Sequence, residues 1–356
     1  MKHENRMSLT EFPELNARER EILQFIIQDF IKTASPIASK TLVDAHRLNV
    51  SSATIRNAMN SLELKGFLDH PHTSAGRIPT EMGYRFYVDS LMRLSRLSVN
   101  EQRALDQISA QLNTDIDDAV VTAARLLAKL SNLLAVVIAP KLGNGIFHRL
   151  ELISLSSTRL LIVLTIQSGI TKTISIEVQS EISRRDLERV SGILNERLQG
   201  RKLSDIARHM NEMLREFEST DDTGLIRIFI DSADTIFDDQ QVRKFHFGGA
   251  EYMAMQPEFN DLSKYRSIVE LIEDEDMIIH LFENEPAFDN EVRVRIGSEN
   301  KLTQIEQCSV VSTQYSIGTV SGTIGLVGPK RMNYPRMVSL VEQLATRFNK
   351  VKFDTL

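Results

Sequence analysis

The 356 residues leave room for two or three domains, each with its own core. With 42% hydrophobic and 25% charged residues the chain has the composition of a soluble globular protein, and its one cysteine, Cys308, excludes an intrachain disulfide framework and fits a reducing cytoplasm. The net charge of −6 is uneven: 11 Lys+Arg against 8 Asp+Glu between Asn16 and Ser98 put +3 on that stretch and −9 on the remainder, a mildly basic head on an acidic body. The longest apolar runs, residues 133–140 and 160–166, are far too short to span a bilayer. The N-terminus mixes Lys2, Glu4, Arg6 and Glu11 and lacks the apolar core of a signal peptide, so no membrane partner is expected.

Residues 15–32 read as a first helix whose apolar stripe is Ile22, Leu23, Phe25, Ile26, Phe30 and Ile31. Asn16 is placed as its N-cap, and Glu19 stands at the capping-box distance. Pro36 interrupts the chain, and residues 37–45 form a second helix. The third helix follows Val50. Ser51 or Ser52 caps it, and Ile55, Met59 and Leu62 recur at spacings of four and three to make one buried stripe. Ser52, Ala53, Arg56, Asn57 and Asn60 then face outward, in the half of the helix that enters a major groove in a helix-turn-helix. Arg pairs bidentately with guanine and Asn with adenine, while small Ser and Ala permit close approach. The competing reading is an ordinary amphipathic helix with a solvated face.

The flanks favour the first reading. Gly66 suits a helix C-cap, and residues 67–80 read as strand, turn and strand with Gly76 at the tip. Three helices and a hairpin make a winged helix, whose wing would hold Arg77 against phosphate or in the minor groove. His70 and His72 lack the cysteines or helical spacing of a metal pair and are assigned to the wing or to solvent. The DNA-contacting set is therefore Ser51, Ser52, Ala53, Thr54, Arg56, Asn57 and Asn60 on the helix, with His72, Thr73, Ser74 and Arg77 on the wing. A head so weakly basic gives modest non-specific affinity, so specific binding to double-stranded DNA needs two copies, a homodimer.

Residues 84–97 read as a further helix that Tyr84 and Tyr87 anchor, with Arg85 reaching toward a phosphate. Helical periodicity continues over 100–131, with a seam of Ala119, Val120, Ala123, Ala124, Leu127 and Leu130. Strands are expected at 134–139, 148–155, 160–165 and 171–178, then helices at 186–198 and 203–217. Residues 225–230 suit either strand or helix, and the acidic stretch 231–239 a solvated loop or helix end. A helix at 262–273 precedes strands at 277–282, 292–296, 309–315 and 318–327, and a last helix starts at Tyr334. The β segments at 133–178 and 277–328 look like two parts of one α+β domain around a mostly helical insertion.

Small-molecule sensing is the second class of function weighed. Gly318, Gly322, Gly325 and Gly328 would let a backbone approach a ligand, but tight turns explain them as well. Gly328-Pro329-Lys330-Arg331 is not a phosphate loop; Lys330 and Arg331 read as a solvated pair, or as contacts to the head or DNA. An enzyme is the weakest class: there is no Gly-x-Ser-x-Gly, no His-Glu-x-x-His and no cysteine cluster, and no cofactor is expected.

Ser51-Ser52-Ala53-Thr54-Ile55-Arg56-Asn57, then Pro71-His72-Thr73-Ser74-Ala75-Gly76-Arg77-Ile78-Pro79-Thr80 and Gly83-Tyr84-Arg85, resemble the signature of the heat-inducible transcription repressor family HrcA. So do Ile296-Gly297-Ser298-Glu299-Asn300 and the run from Gly322 through Gly328-Pro329-Lys330-Arg331-Met332-Asn333-Tyr334. The resemblance covers the chain from about Leu15 onward, and the wing run is its most specific part. Residues 33–39 depart from the family, which often has glycines there. The resemblance implies a non-enzymatic, cytoplasmic repressor of chaperone operons that binds an inverted-repeat operator as a dimer and depends on the GroEL chaperonin for its active form. The fold it implies is α+β multidomain: a winged-helix head at 1–98, a GAF-like domain at 99–178 and 251–356 with a helical linker, and an inserted dimerising domain at 179–250.

Overall fold

The computed structural model describes residues 12–71, 76–112, 116–179, 181–218, 221–237, 245–283 and 291–350. It is a mixed helix-and-sheet molecule whose described residues form three sheets, of two, five and three strands.

Three helices open the chain, α1 (Ala17–Thr33), α2 (Ser39–His46) and α3 (Ser52–Leu64), followed by the short antiparallel pair β1 (Leu68–Asp69) and β2 (Ile78–Pro79). The Asn16–Glu19 capping box is formed. The buried side of α1 is Ile22, Leu23, Ile26 and Ile27; Phe25, Phe30 and Ile31, expected in the stripe, are only partly buried. Gly76 lies on the loop side of the last paired residues, Asp69 and Ile78, and is buried there, where a Cβ would come within 2.7 Å of the Pro36 backbone. Thr80 caps α4 (Glu81–Phe86), which passes into a π turn, Tyr87–Leu91, so the helix expected at 84–97 starts earlier and stops six residues sooner.

An irregular connection leads to α5 (Val99–Leu112) and α6 (Ile116–Ser131). Next, β3 (Leu134–Ile138) is buried at every position, as a strand covered on both faces must be. It lies inside an antiparallel sheet ordered β7-β3-β10-β9-β8, in which β7 is Phe245–Gly248, β8 Arg293–Ile296, β9 Cys308–Ile317 and β10 Val320–Pro329. Ala135 and Val137 join the core under α5, α6 and α14 (Tyr334–Asn349); Leu134, Val136 and Ile138 join a second core with α11 (Ala250–Ala254), α12 (Leu262–Glu273) and α13 (Glu275–Glu283).

Two expectations are corrected here. Residues 277–282 are helix α13, not a strand: Asp274 accepts from the Met277 N–H at 2.9 Å, and Ile278, Leu281 and Phe282 recur at helical spacing on the buried side. A six-residue apolar run carries no period that separates the two states. The strands of 133–178 also do not share one sheet. β4 (Phe147–Ser156), β5 (Arg159–Ile166) and β6 (Thr171–Glu177) form a sheet of their own among the described strands, and α7 (Arg184–Leu198) lies on β4, where Asn195 brackets the Leu150 peptide at 2.7 and 2.9 Å. The same core takes in α8 (Leu203–Glu218), α9 (Leu225–Asp231) and α10 (Ala233–Phe237). The ambiguous 225–230 is thus helical, and so is much of the acidic stretch.

The glycines that suggested a ligand approach make room for the protein's own side chains. A Cβ at Gly322 would strike Tyr315, one at Gly325 Phe282, and one at Gly328 Leu133.

Candidate nucleic-acid interface

The outward face of α3 is set by what lies beneath it. Ser51 is the N-cap: its hydroxyl accepts from the Thr54 N–H at 3.2 Å and meets the Thr54 hydroxyl at 2.9 Å. The hydroxyls of Ser39 and Ser52 meet at 2.9 Å, joining the first residues of α2 and α3 and leaving Ser52 half-buried. Ile55, Met59 and Leu62 are buried as the spacing predicts, while Ala53, Thr54, Arg56, Asn57 and Asn60 are exposed. His72, Thr73 and Ser74 lie outside the described residues.

The far end of α3 is held by a buried carboxylate that periodicity alone did not single out. Glu19 is 4% exposed, and it accepts from Lys65 Nζ at 2.8 Å and from the Ser61 hydroxyl at 2.6 Å while closing its own capping box. Burial alone would raise its pKa, but the bonds from Lys65, Ser61 and the Asn16 backbone outweigh it and hold the carboxyl below its ordinary value. This contact fixes α3 against α1. The signal was half visible in sequence, since Glu19 was placed in the capping box, whereas Lys65 arrives through the fold.

Arg77 is not extended toward solvent. Its Nε donates to Glu63 at 2.6 Å and its Nη2 to Asn60 at 3.0 Å, while its backbone pairs with Ile37 in both directions at 2.9 Å. The hairpin is thereby braced to α3 and to the turn before α2, and Asn60 is engaged by Arg77.

The head rests on the five-stranded sheet's unit through α4 and the end of α1. Arg85 bonds to Glu299 at 2.5 and 2.9 Å, to Asp89 at 3.2 Å and to the Val294 carbonyl, so it is committed within the molecule. Tyr84 lies 5.8 Å from Tyr334, ring to ring. Lys330 and Arg331 are likewise not a solvated pair: Lys330 Nζ donates to Glu81 at 3.0 Å, and Arg331 donates to the Ile31 carbonyl and to Glu258, both at 2.6 Å. Burial opposes ionisation of Glu81, but Ser298 and Lys330 more than offset it and lower its pKa. Cys308 is buried in β9 and burial pushes its thiol up to about 12, the state of an inert core residue.

Among the described residues no three His, Cys, Asp or Glu side chains are grouped to hold a metal, and no helix is long and apolar enough to cross a membrane. What the head offers instead is an exposed polar helix face, capped at one end and pinned at the other.

A family model described as the HrcA protein C-terminal domain matches residues 117–338. A protein of Chlorobium luteolum named heat-inducible transcription repressor HrcA is 40% identical over 344 residues, covering 93% of this chain and 96% of that one. A protein of the same name from Chlorobium phaeobacteroides strain BS1 is 39% identical over 348 residues, covering 95% and 98%. Among solved structures, that of a protein described only as hypothetical, at 2.2 Å resolution, aligns with a TM-score of 0.67 and 25% identity over 95% of this chain and 98% of that one.

Proposed function

The chain belongs to the HrcA family of heat-inducible transcription repressors, and from that membership we propose that it binds an inverted-repeat operator of chaperone genes as a homodimer. The observation that carries this reading is the exposed Ala53, Thr54, Arg56 and Asn57 face of α3, held in place by Ser51 at one end and the Glu19–Lys65 pair at the other. A pinned helix with Arg and Asn outward is suited to base-edge recognition. Ser51, Ser52 and Asn60 flank that face, and Arg77 supports it from the wing. His72, Thr73 and Ser74 complete the proposed contact set.

We read α1–β2 as a winged helix and the five-stranded sheet with its helices as GAF-like. The inserted unit then spans about 142–237 rather than 179–250; what supports this is that, among the described strands, β4, β5 and β6 make a sheet separate from that of β3. Dimerisation through that unit would cover the outer face of its sheet, where Ile153 is 43% exposed and pairs with Leu161, beside Val163. Dependence on the GroEL chaperonin is part of the same proposal.

Fluorescence anisotropy on a chaperone-promoter inverted repeat and on a scrambled duplex, across a salt series, tests the reading. Tight, selective binding that is lost on deleting one half-site is expected. Equal weak binding to both duplexes, unchanged by added chaperonin and ATP, would sink it.

A further inference from the structure

Two short stretches at one end of the five-stranded sheet grip the head. β8 runs into the turn Gly297–Asn300, and β10 ends at Pro329, just before Lys330 and Arg331. Cross-links make these stretches one rigid corner: Asn300 Nδ2 donates to the Cys308 carbonyl at 3.0 Å, Pro329 is in register with Cys308, and the Lys330 N–H donates to the Gln307 carbonyl at 3.3 Å.

From this corner, Lys330 Nζ, the Ser298 N–H and the Ser298 hydroxyl all donate to the Glu81 carboxylate, at 3.0, 3.2 and 2.7 Å. Gly297 has φ +57°, and a Cβ there would run into that carboxylate, so glycine is required for the approach. Glu299 takes Arg85, and Arg331 reaches the Ile31 carbonyl in the last turn of α1. The head is thus held at the end of α1 and at both ends of α4, which restricts its rotation as well as its position.

On the head side the path to α3 is short. Glu81 follows Thr80, whose hydroxyl donates to the Gly66 carbonyl at 2.6 Å and whose N–H donates to that of Phe67 at 3.1 Å. Across β2, Arg77 holds Asn60 and Glu63 of α3.

We infer that this clamp sets the direction of α3 relative to the body, making Glu81 and Arg85 on the head and Glu299, Lys330 and Arg331 on the body determinants of operator spacing. The inference rests on the operator-binding reading above. Two bodies joined in a dimer present two heads, and the angular freedom of each head decides which half-site separations both reach at once. A clamped head accepts one separation. A head released onto the irregular residues 92–98 accepts several.

The test uses the full chain on three duplexes: the native repeat, the repeat with its spacer lengthened by about 5 bp, half a helical turn, and a single half-site. The variants are a head-side pair, Glu81→Gln with Arg85→Gln, and a body-side pair, Glu299→Gln with Lys330→Met, so that misfolding of either alone does not decide the matter. The wild-type chain should bind the lengthened repeat about a hundredfold more weakly than the native one, as when geometry forbids simultaneous engagement. Both double variants should bring the two repeats to within about threefold while leaving single half-site affinity unchanged. Variants that keep the full discrimination, or that both lose half-site binding, would overturn the clamp. A wild-type chain that is selective but indifferent to spacing would overturn the clamp alone, whereas one that is not selective at all overturns the operator reading and the clamp with it.

Discussion

Arg77 and Asn60 are joined at 3.0 Å, guanidinium Nη2 to side-chain carbonyl, across the gap between the hairpin and α3. A residue expected to meet phosphate therefore has a position inside the head, 13% exposed at its side chain and also paired with Glu63. Arg77→Ala should lower head stability by about 1–2 kcal/mol, between the exposed and buried limits for an ion pair. It should also weaken operator binding by loosening α3. Because Arg77 is committed within the protein, the slope of log affinity against log salt should change little. Arg77→Lys would keep the charge without the two-point geometry and should recover less than half of the loss. A slope reduced by about one full counterion in Arg77→Ala would return Arg77 to a phosphate.

Arg56 and Asn57 stand on the exposed face of α3. Arg56→Ala and Asn57→Ala should each cost roughly 1–3 kcal/mol on the operator and relax base preference at the positions they read. Affinity for scrambled duplex should fall far less. Binding to a panel of singly substituted operators measures this, and a uniform loss across the panel would remove both residues from the base-reading set.

The Glu19 carboxyl predicts an acid limb in stability. Its pKa is lowered in the folded chain from the ordinary 4.5, because the bonds from Lys65, Ser61 and the Asn16 backbone outweigh burial. A depressed carboxylate contributes stability that is fully present above its unfolded value and is lost as pH falls through the folded one. The head should therefore hold its melting temperature down to about pH 5 and lose it progressively below, toward pH 3. Glu19→Gln should melt lower at neutral pH and show a shallower acid limb. Equal limbs in the two chains would show that other carboxylates, such as Glu81 and Glu101, which are also lowered, carry the acid sensitivity.

Local rules read well where local interactions decide. The Asn16–Glu19 box, the stripe of Ile55, Met59 and Leu62, the helix at 262–273 and the starts of α8 and α14 were all legible, because caps and periodicity act within a few residues. Three kinds of feature were not. The run 277–282 is too short to reveal its period, and only the fold shows it as helix, with the Phe282 ring lying over Gly325. The segregation of β4–β6 from β3 depends on pairing partners, which alternation does not encode. Nothing local to Lys65 points to Glu19, and which reading of Lys330 and Arg331 holds, solvated pair or contact to the head, is decided only when the fold brings Glu81 and the Ile31 carbonyl to them. The same limit applies at the interface: periodicity found which face of α3 is outward, but not that Arg77 is turned in to support it.

Strand order predicts slow folding. β3 takes its neighbours from β7 and β10, pairing Ala135 with Gly248 on one side and Val327 with Leu134 on the other, so the central sheet closes only after the whole β4–α10 unit has been synthesised between its strands. Loop closure over such separations is paid in chain entropy before any contact rewards it, and until then the apolar edges of a strand buried on both faces stay open. Such an intermediate aggregates readily and is a natural chaperonin client. Refolding from denaturant at micromolar concentration should be slow and of low yield, and chaperonin with ATP should raise the yield severalfold. Deleting residues 142–237 and closing the gap with a short flexible linker should speed sheet formation and reduce that dependence, read as hydrogen-exchange protection of the 134–138 amides. Equal yields with and without chaperonin for the full chain would remove the physical basis for coupling this repressor's active fraction to free chaperonin.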